Sequence, residues 1–538
     1  MDSEARFLND ATRPVSKGDP AFQAKPRSKE MTLMTRDARE GAPWDGGPDG
    51  EAPREECGVF GVFGAADASA LVALGLHALQ HRGQEAGGIV VYDEARGEFH
   101  AERRLGLVRD NFTSKEAIEA LPGDKAIGHV RYSTAGGKGT QTALRNVQPL
   151  FGEFEPGGCA VAHNGNLTNA VHLRRYLTQR GSIFQSDSDT ECVIHLMARS
   201  IQGPIRERME DALRAVEGAF SVVALTRGMM IGVRDPLGMR PLVIGRRGEA
   251  WVLASETCAL DIIGAEYLRD VEPGEMVTIT DEGLRSSRPF PPAARRFCIF
   301  EYVYFARPDS FVDGRGVYET RRRIGEELAR EQPAEADLVC PVPDSGVPAA
   351  IGYARESGIP FDYGIIRNHY IGRTFIEPSE QIRNMGVRLK LNVNRALVEG
   401  KRVILVDDSV VRGTTSLKIM QMVRDAGAKE VHFRIASPPT SWPCYYGVDT
   451  PERDKLLAAQ HDVEGMRRFI GVDSLGFISL DGLYRACGEA EGRQAAAPQF
   501  CDACFSGDYP IRPRDAEAGL TGPGCAPKRP VLVTRKAS

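Results

Sequence analysis

VILVDDSVVRGTTS, residues 403–416, sets a short apolar run directly before two adjacent carboxylates and a stretch of serine, arginine, glycine and threonine. The run Val403–Val406 reads as a strand buried on both faces, and Asp407 and Asp408 fall where that strand must end. Ser409, Arg412, Gly413, Thr414, Thr415 and Ser416 follow before helical periodicity starts at Leu417. A loop of this composition opening a helix offers backbone N–H groups, hydroxyls and the positive helix end to a phosphate. It has neither the lysine spacing of a P-loop nor the glycine pattern of a dinucleotide site, so neither ATPase nor dehydrogenase chemistry is indicated. Carboxylates beside a phosphate cradle suit a ribose diol and a magnesium ion that carries a departing pyrophosphate.

Around this segment strands and helices alternate. ADLVCPVP, a helix over 347–357, FDYGII, KRVILVDD, a helix over 415–426 and EVHFRIASPP predict a parallel sheet flanked by helices, with ligands at the carboxyl ends of its strands. Before the Pro- and Arg-rich linker SRPFPPAARR, residues 287–296, the rhythm differs. Short strands such as CGVFGVF, GGIVVYD, AIGHVRY, CAVAHNGNL, FSVVALT, MMIGVRD and WVLASE recur there, interrupted by two helices near 69–81 and 188–201. Residues 1–56 mix both charges with Gly and Pro and predict a disordered leader, and a flexible tail is expected over 509–538. Two domains result, 57–290 and 297–508.

The 538 residues carry a net charge of −5, which gives no electrostatic case for nucleic acid or an anionic membrane as partner. No apolar run approaches the roughly 18 residues of a membrane span, so a cytoplasmic protein with small-molecule substrates is expected.

The 403–416 stretch resembles the binding loop of type I phosphoribosyltransferases, which use phosphoribosyl pyrophosphate. The resemblance implies that Asp407 and Asp408 face the ribose and magnesium while Arg412, Gly413, Thr414, Thr415 and Ser416 surround the 5'-phosphate. Upstream, PDSG (343–346) ends another apolar strand, and Ser345 is a candidate for the magnesium shell. The basic segment 365–391 suits a lid over pyrophosphate, with Arg367, Arg373 and Lys390 as candidates for neutralising its charge.

Such an enzyme needs a nucleophile, and Cys57 supplies the clue. If the chain is cut after Glu56, Cys57 gains a free α-amine of pKa about 7.7–8.0 that acts as its base. RYSTAG (131–136), HNGNL (163–167) and SDSDTE (186–191) fall at strand ends or a helix start. A glutamine substrate calls for a guanidinium at its carboxylate, an acid at its amine and an oxyanion hole at its side-chain amide. Arg131 suits the first, Asp189 the second, and the Asn164 side chain with the Gly165 N–H the third; Thr134 belongs to the same set. These segments resemble the N-terminal-nucleophile glutaminase domain, an αββα fold, of class II amidotransferases. Together with the phosphoribosyl loop, residues 57 to about 508 resemble the amidophosphoribosyltransferase family. That resemblance implies transfer of ammonia, inside the protein, from glutamine to phosphoribosyl pyrophosphate, with feedback by purine nucleotides and homotetrameric assembly. Glucosamine-phosphate and asparagine synthetases share the glutaminase but not the DDSVVRGTTS loop, and a phosphoribosyl pyrophosphate-sensing repressor would need a basic DNA-reading element that is not visible.

Cys501 and Cys504 have the two-residue spacing of metal-ligating pairs, while Cys298 and Cys444 lie among aromatic residues. Spacing alone does not choose these over Cys340 or Cys487. The family resemblance does: some members hold a structural [4Fe-4S] cluster, whose four ligands fall on Cys298, Cys444, Cys501 and Cys504.

Overall fold

GVFGVF, Gly58–Phe63, is buried along its whole length and pairs on both sides, with Lys125–Arg131 and with Ala250–Ala254. The computed structural model describes residues 57–131, 144–155, 157–201, 203–369 and 390–520. The strand is central to a seven-stranded antiparallel sheet in the order Glu266–Asp270, Val243–Arg247, Ala250–Ala254, Gly58–Phe63, Lys125–Arg131, Ala86–Asp93, Glu98–Leu105. A second antiparallel sheet of six strands runs Gly283–Ser287, Met276–Thr280, Met230–Arg234, Gly218–Leu225, Gly157–Leu167, Leu150–Phe154.

The period of two sorts the side chains between layers. Val59 and Phe63 meet Ala160, Ala162 and Val223 of the second sheet in one core. Phe60 and Val62 face outward onto helices Ala68–Ala78 and Cys258–Ile262. On the far side, Val161, Val222 and Ile231 pack against helices Thr190–Arg199 and Ile205–Ala215. The layering is helix, sheet, sheet, helix, as expected. The Ile205–Ala215 helix was not among the two expected, although IRERMEDALRA buries Ile205, Met209, Ala212 and Leu213 at helical spacing.

In the second domain, strands Leu338–Pro341, Arg402–Asp407, Glu430–Ile435 and Ser474–Phe477 form a parallel sheet in that order. Val339, Ile404 and Val406 face the pair of helices Val317–Glu331 and Val347–Ser357, while Leu338, Cys340, Val403 and Leu405 face the helix Thr414–Asp425. Burial on both faces explains the unbroken apolar runs. The paired helices cross so closely that a Cβ on Gly325 would stand 1.9 Å from Ala349 O, and one on Gly352 1.9 Å from Arg322 O.

Two expectations change. FDYGII is not a sheet strand: Phe361 makes a single bridge to Val339, and Ile365–Arg367 pairs antiparallel with Leu391–Val393 in a separate hairpin base. Ser474–Phe477 is the fourth strand, at the opposite edge beside Glu430–Ile435. The 287–296 linker is irregular but fixed, because Pro289 O accepts from Arg214 Nε (3.0 Å) and the Arg296 N–H donates to Leu237 O (2.7 Å). Nor does a flexible tail begin at 509: Pro513 and Asp515 are buried, Asp515 at 3% exposed. Residues 1–56 and 521–538 lie outside the described residues.

The domains meet through buried charge. Arg82, from the loop after the first helix, donates to Glu256 through Nε and to Glu301 through Nη1 (3.2 Å) and Nη2 (2.5 Å). Arg240 reaches Glu301 from the other side (3.6 Å), and all four side chains are at most 1% exposed. Glu256 also accepts from the Arg307 N–H (2.9 Å) and Ser310 Oγ (2.6 Å) of the second domain. Burial alone would raise the Glu256 pKa, but Arg82 and His81 hold it well below the usual range. Removing one member of such a network strands the others in low dielectric. Glu301→Ala should therefore cost about 3–5 kcal/mol of stability in urea unfolding; a loss under about 1 kcal/mol would mean that the junction does not rely on this network.

Candidate functional site

Two strand ends and a helix start build the first site. Cys57 precedes the central strand, Arg131 ends its neighbour, and Asp189 is the N-cap of helix Thr190–Arg199. All three line one cavity of about 190 Å³, together with His163, Gly165 and Asn166 from the end of the Gly157–Leu167 strand. Alternation from Val59 turns Cys57 toward the seam between the sheets, and alternation from Ala160 and Ala162 turns Asn164 there too. Asn164 is 0% exposed, yet neither its Oδ1 nor its Nδ2 has a hydrogen-bond partner. An unpaired amide in the core is costly and marks a group kept for something else. Gly165 has φ +142°, and a Cβ there would stand 2.0 Å from Ala219 O, so no other residue fits.

The Asp189 carboxylate accepts from the N–H groups of Thr190 (2.8 Å) and Leu167 (3.0 Å). Burial raises its pKa, but His163 at 3.8 Å and those N–H donors outweigh it and hold the group below the ordinary carboxylate value. An ionised acid thus stands in the wall of the pocket at neutral pH, where it can take an ammonium group. Thr134 lies outside the described residues.

The second site lies at the carboxyl end of the parallel sheet. The Asp408 N–H donates to Asp407 Oδ1 (2.9 Å), and Ser409 Oγ to Asp408 Oδ2 (2.5 Å). Burial, then the adjacent Asp408 charge, raises the Asp407 pKa well above its usual value. Two crowded carboxylates of this kind gain from a cation. Gly413, at φ +80°, is the N-cap of helix Thr414–Asp425, with Thr414, Thr415 and Ser416 in its first turn. A Cβ on Gly346 would stand 2.3 Å from Val406 O, so the PDSG loop that carries Ser345 lies directly against the Asp407 strand. Arg367 binds Asp344 of that loop, and Lys390 O accepts from the Asn368 N–H (2.8 Å) across the hairpin base. Arg373 lies outside the described residues. The Arg412 Nε is buried without a partner.

Cys298, Cys444, Cys501 and Cys504 line a single apolar pocket with Arg240, Phe300 and Tyr446. Phe297–Cys298 pairs in parallel with Phe500–Cys501, and Cys444 Sγ accepts from the Tyr446 N–H (3.3 Å). Burial pushes the Cys298 thiol up to about 11 and, with the neighbouring sulfurs, raises Cys501 and Cys504 well above the usual value. Among the described residues no group of three or more His, Cys, Asp or Glu is arranged around a single metal ion. A four-iron cluster differs, since each thiolate binds its own iron. The donors present, four mutually close thiols in a dry shell, fit such a group. Cys159, Cys192, Cys258, Cys340 and Cys487 are buried elsewhere.

Sequence reasoning missed part of the first cavity: Asn146, Gln148 and Arg174, and also Tyr445, Pro513 and Asp515 from the far end of the chain. Gln148 Oε1 accepts from the His163 N–H (2.8 Å), and Arg174 donates to Ser186 O (2.9 Å) and Ser188 O (2.8 Å), shaping the turn before Asp189. Only the polar character of NVQPL hinted at the first two.

Two family models match the chain: a glutamine amidotransferase domain over residues 140–261 and a phosphoribosyl transferase domain over 309–436. The amidophosphoribosyltransferase of Rhizobium etli is 58% identical over 486 residues, covering 89% of this chain and 97% of that protein. The structure of glutamine phosphoribosylpyrophosphate amidotransferase from Bacillus subtilis complexed with ADP and GMP is similar with a TM-score of 0.79 and 47% identity, over 85% of this chain and 98% of that one. A structure described as the allosteric regulatory enzyme of purine biosynthesis matches equally, with a TM-score of 0.79 and 48% identity over 85% of this chain and 96% of that one.

His129, beneath the first cavity, bonds His163 O through Nε2 (3.2 Å), and burial followed by the Arg131 charge lowers its pKa to about 3. The unfolded chain binds this proton near pH 6.5, so the stability contribution is complete above that pH and falls as pH drops toward 3. His129→Gln should flatten the stability curve between these limits by up to about 1.4 kcal/mol per pH unit. An unchanged slope in urea unfolding would show that His129 is not the group responsible.

Proposed function

The chain belongs to the amidophosphoribosyltransferase family, and from that premise we propose how its residues divide the reaction. The enzyme transfers ammonia from glutamine to phosphoribosyl pyrophosphate, giving 5-phosphoribosylamine, glutamate and pyrophosphate, the first committed step of purine nucleotide synthesis.

In the first cavity, Arg131 and Thr134 with Asp189 hold the α-carboxylate and α-amine of glutamine. The Cys57 thiolate attacks the side-chain amide carbon, and the proton passes through the α-amine of Cys57 to the leaving ammonia. The oxyanion accepts from Asn164 Nδ2 and the Gly165 N–H, and water then cleaves the thioester to glutamate. The observation that carries this reading is Asn164, buried beside the cavity with its amide unpaired. The chemistry requires removal of residues 1–56.

In the second site, Arg412, Gly413, Thr414, Thr415 and Ser416 cradle the 5'-phosphate at a helix start, and Asp407 and Asp408 hold the ribose diol and stabilise cationic character at the sugar carbon. Arg367, Arg373 and Lys390 offset the pyrophosphate charge. Ser345, Asp407 and Asp408 would hold magnesium, which when bound neutralises the departing pyrophosphate. Few protein oxygens suffice, since this ion keeps waters and substrate phosphates as ligands. Ammonia reaches the sugar carbon within the protein, because in bulk water it would protonate and cease to be a nucleophile. Cys298, Cys444, Cys501 and Cys504 would hold a [4Fe-4S] cluster that braces the C-terminal segment. Nucleotide feedback is inferred from the relative complexed with ADP and GMP. Homotetrameric assembly rests on the family resemblance and cytoplasmic residence on the reading of the sequence; among the described residues no helix is long and apolar enough to cross a membrane.

Three experiments test this reading. Active enzyme should have Cys57 as its first residue by intact mass, and Cys57→Ala should lose glutamine-driven pyrophosphate release by about 10³-fold or more while retaining release driven by added ammonia. Loss of both activities, or an active chain that keeps residues 1–56, would overturn it. Cys504→Ser should lower bound iron and bleach the brown colour of anaerobically purified protein; a colourless, iron-free and fully active wild type would remove the cluster.

A further inference from the structure

The residues after the last cysteine pair turn back onto the glutamine cavity. Helix Ala170–Thr178 leaves the Gly157–Leu167 strand at its active end, yet its N-cap, Asn169, supplies no side-chain cap. The Asn169 amide is committed elsewhere, donating to Ala215 O (3.1 Å) and accepting from the Glu217 N–H (3.0 Å). The helix's first donors would be orphaned without another partner. Asp515 provides it: the Val171 N–H donates to Oδ2 (2.7 Å) and the His172 N–H to Oδ1 (3.2 Å). The Asp515 N–H in turn donates to Thr168 O (3.0 Å), so one residue grips the strand-to-helix turn from both sides.

That turn is a wall of the cavity. Thr168, Ala170 and Val171 line the same space as Cys57 and Arg131, and so do Pro513, Asp515 and Ala516. At the other end of the turn, the Leu167 N–H is held by Asp189 (3.0 Å). The arm that delivers Asp515 is itself anchored beside the cysteine pocket: Tyr446 Oη donates to Ile511 O (2.5 Å), and Tyr509 Oη donates to Pro443 O (2.6 Å).

We propose that Asp515 is a positioning residue for glutamine, fixing the 167–171 turn so that the C-terminal arm sets the affinity of the glutamine cavity. The proposal rests on the reading of that cavity as the glutamine site. Asp515 touches no reacting atom; it acts through backbone N–H groups that carry the wall. Its loss therefore weakens capture of glutamine and leaves the phosphoribosyl site alone.

The test uses the full enzyme and follows pyrophosphate release driven by glutamine or by added ammonia. Asp515→Asn sets an amide N–H against one of the two helix donors and should raise the glutamine KM by about tenfold or more, with kcat at saturating glutamine and ammonia-driven turnover within about twofold of wild type. Arg514→Ala, which breaks the exposed ion pair with Glu217 (2.8 Å), loosens the same arm without burying an unpaired group. It should raise the glutamine KM in the same direction, by about two- to fivefold. An unchanged KM in both variants, or a parallel fall of both activities in both, overturns the proposal. Wild-type enzyme that responds to ammonia but never to glutamine would instead sink the reading of the cavity itself, and that result precedes any variant.

Discussion

The Arg82 guanidinium, sealed between Glu256 and Glu301, is the constraint on which the two-site arrangement depends. Glu256 belongs to the sheet sandwich and Glu301 to the parallel-sheet domain, so the pairing can be satisfied only with the domains in one relative position. Arg240 adds a second clamp, binding Glu301 through one nitrogen and Tyr446 O through Nε (3.0 Å) and Nη2 (2.7 Å). Buried charges tolerate little displacement, because each is expensive to leave unpaired. The junction is consequently a rigid joint rather than a sliding contact.

The first site is completed by residues from the second domain. Asn166 Nδ2 donates to Tyr445 O (2.8 Å), and Gly447, at φ +124°, passes so close that a Cβ there would stand 3.2 Å from the Gly165 backbone. The segment at Gly165 and Asn166 is therefore supported from behind by the chain that runs on from Cys444. The cysteine pocket, the arm carrying Asp515 and the first cavity form one continuous packed region, which gives the proposed four-thiol brace a mechanical purpose.

Much of this was legible in the sequence because it depends on local order. Val403–Val406 followed by two aspartates reads as a buried strand and its end wherever the strand sits, and Cys57, Arg131 and Asp189 each occupy an element terminus that periodicity marks. The missing parts depend on contacts between distant segments. Ser474–Phe477 is too short and too ordinary in composition to claim a sheet position over FDYGII, and register is decided by which face the neighbouring helices cover. Asp515 follows a Pro-rich stretch that resembles a tail; only the backbone donors of Val171 and His172 give it a place. Glu256 and Glu301 look like surface acids until Arg82 is seen between them.

On the proposed division of the reaction, ammonia released at Cys57 reaches the sugar carbon near Asp407 without mixing with solvent. The direct measurement supplies glutamine labelled with ¹⁵N in the side-chain amide together with excess unlabelled ammonium, and reads the isotope in the 5-phosphoribosylamine trapped as it forms. The account predicts product that carries the glutamine label at nearly full enrichment at every ammonium concentration too low to drive pyrophosphate release by itself. Enrichment that falls with the bulk isotope ratio would contradict it.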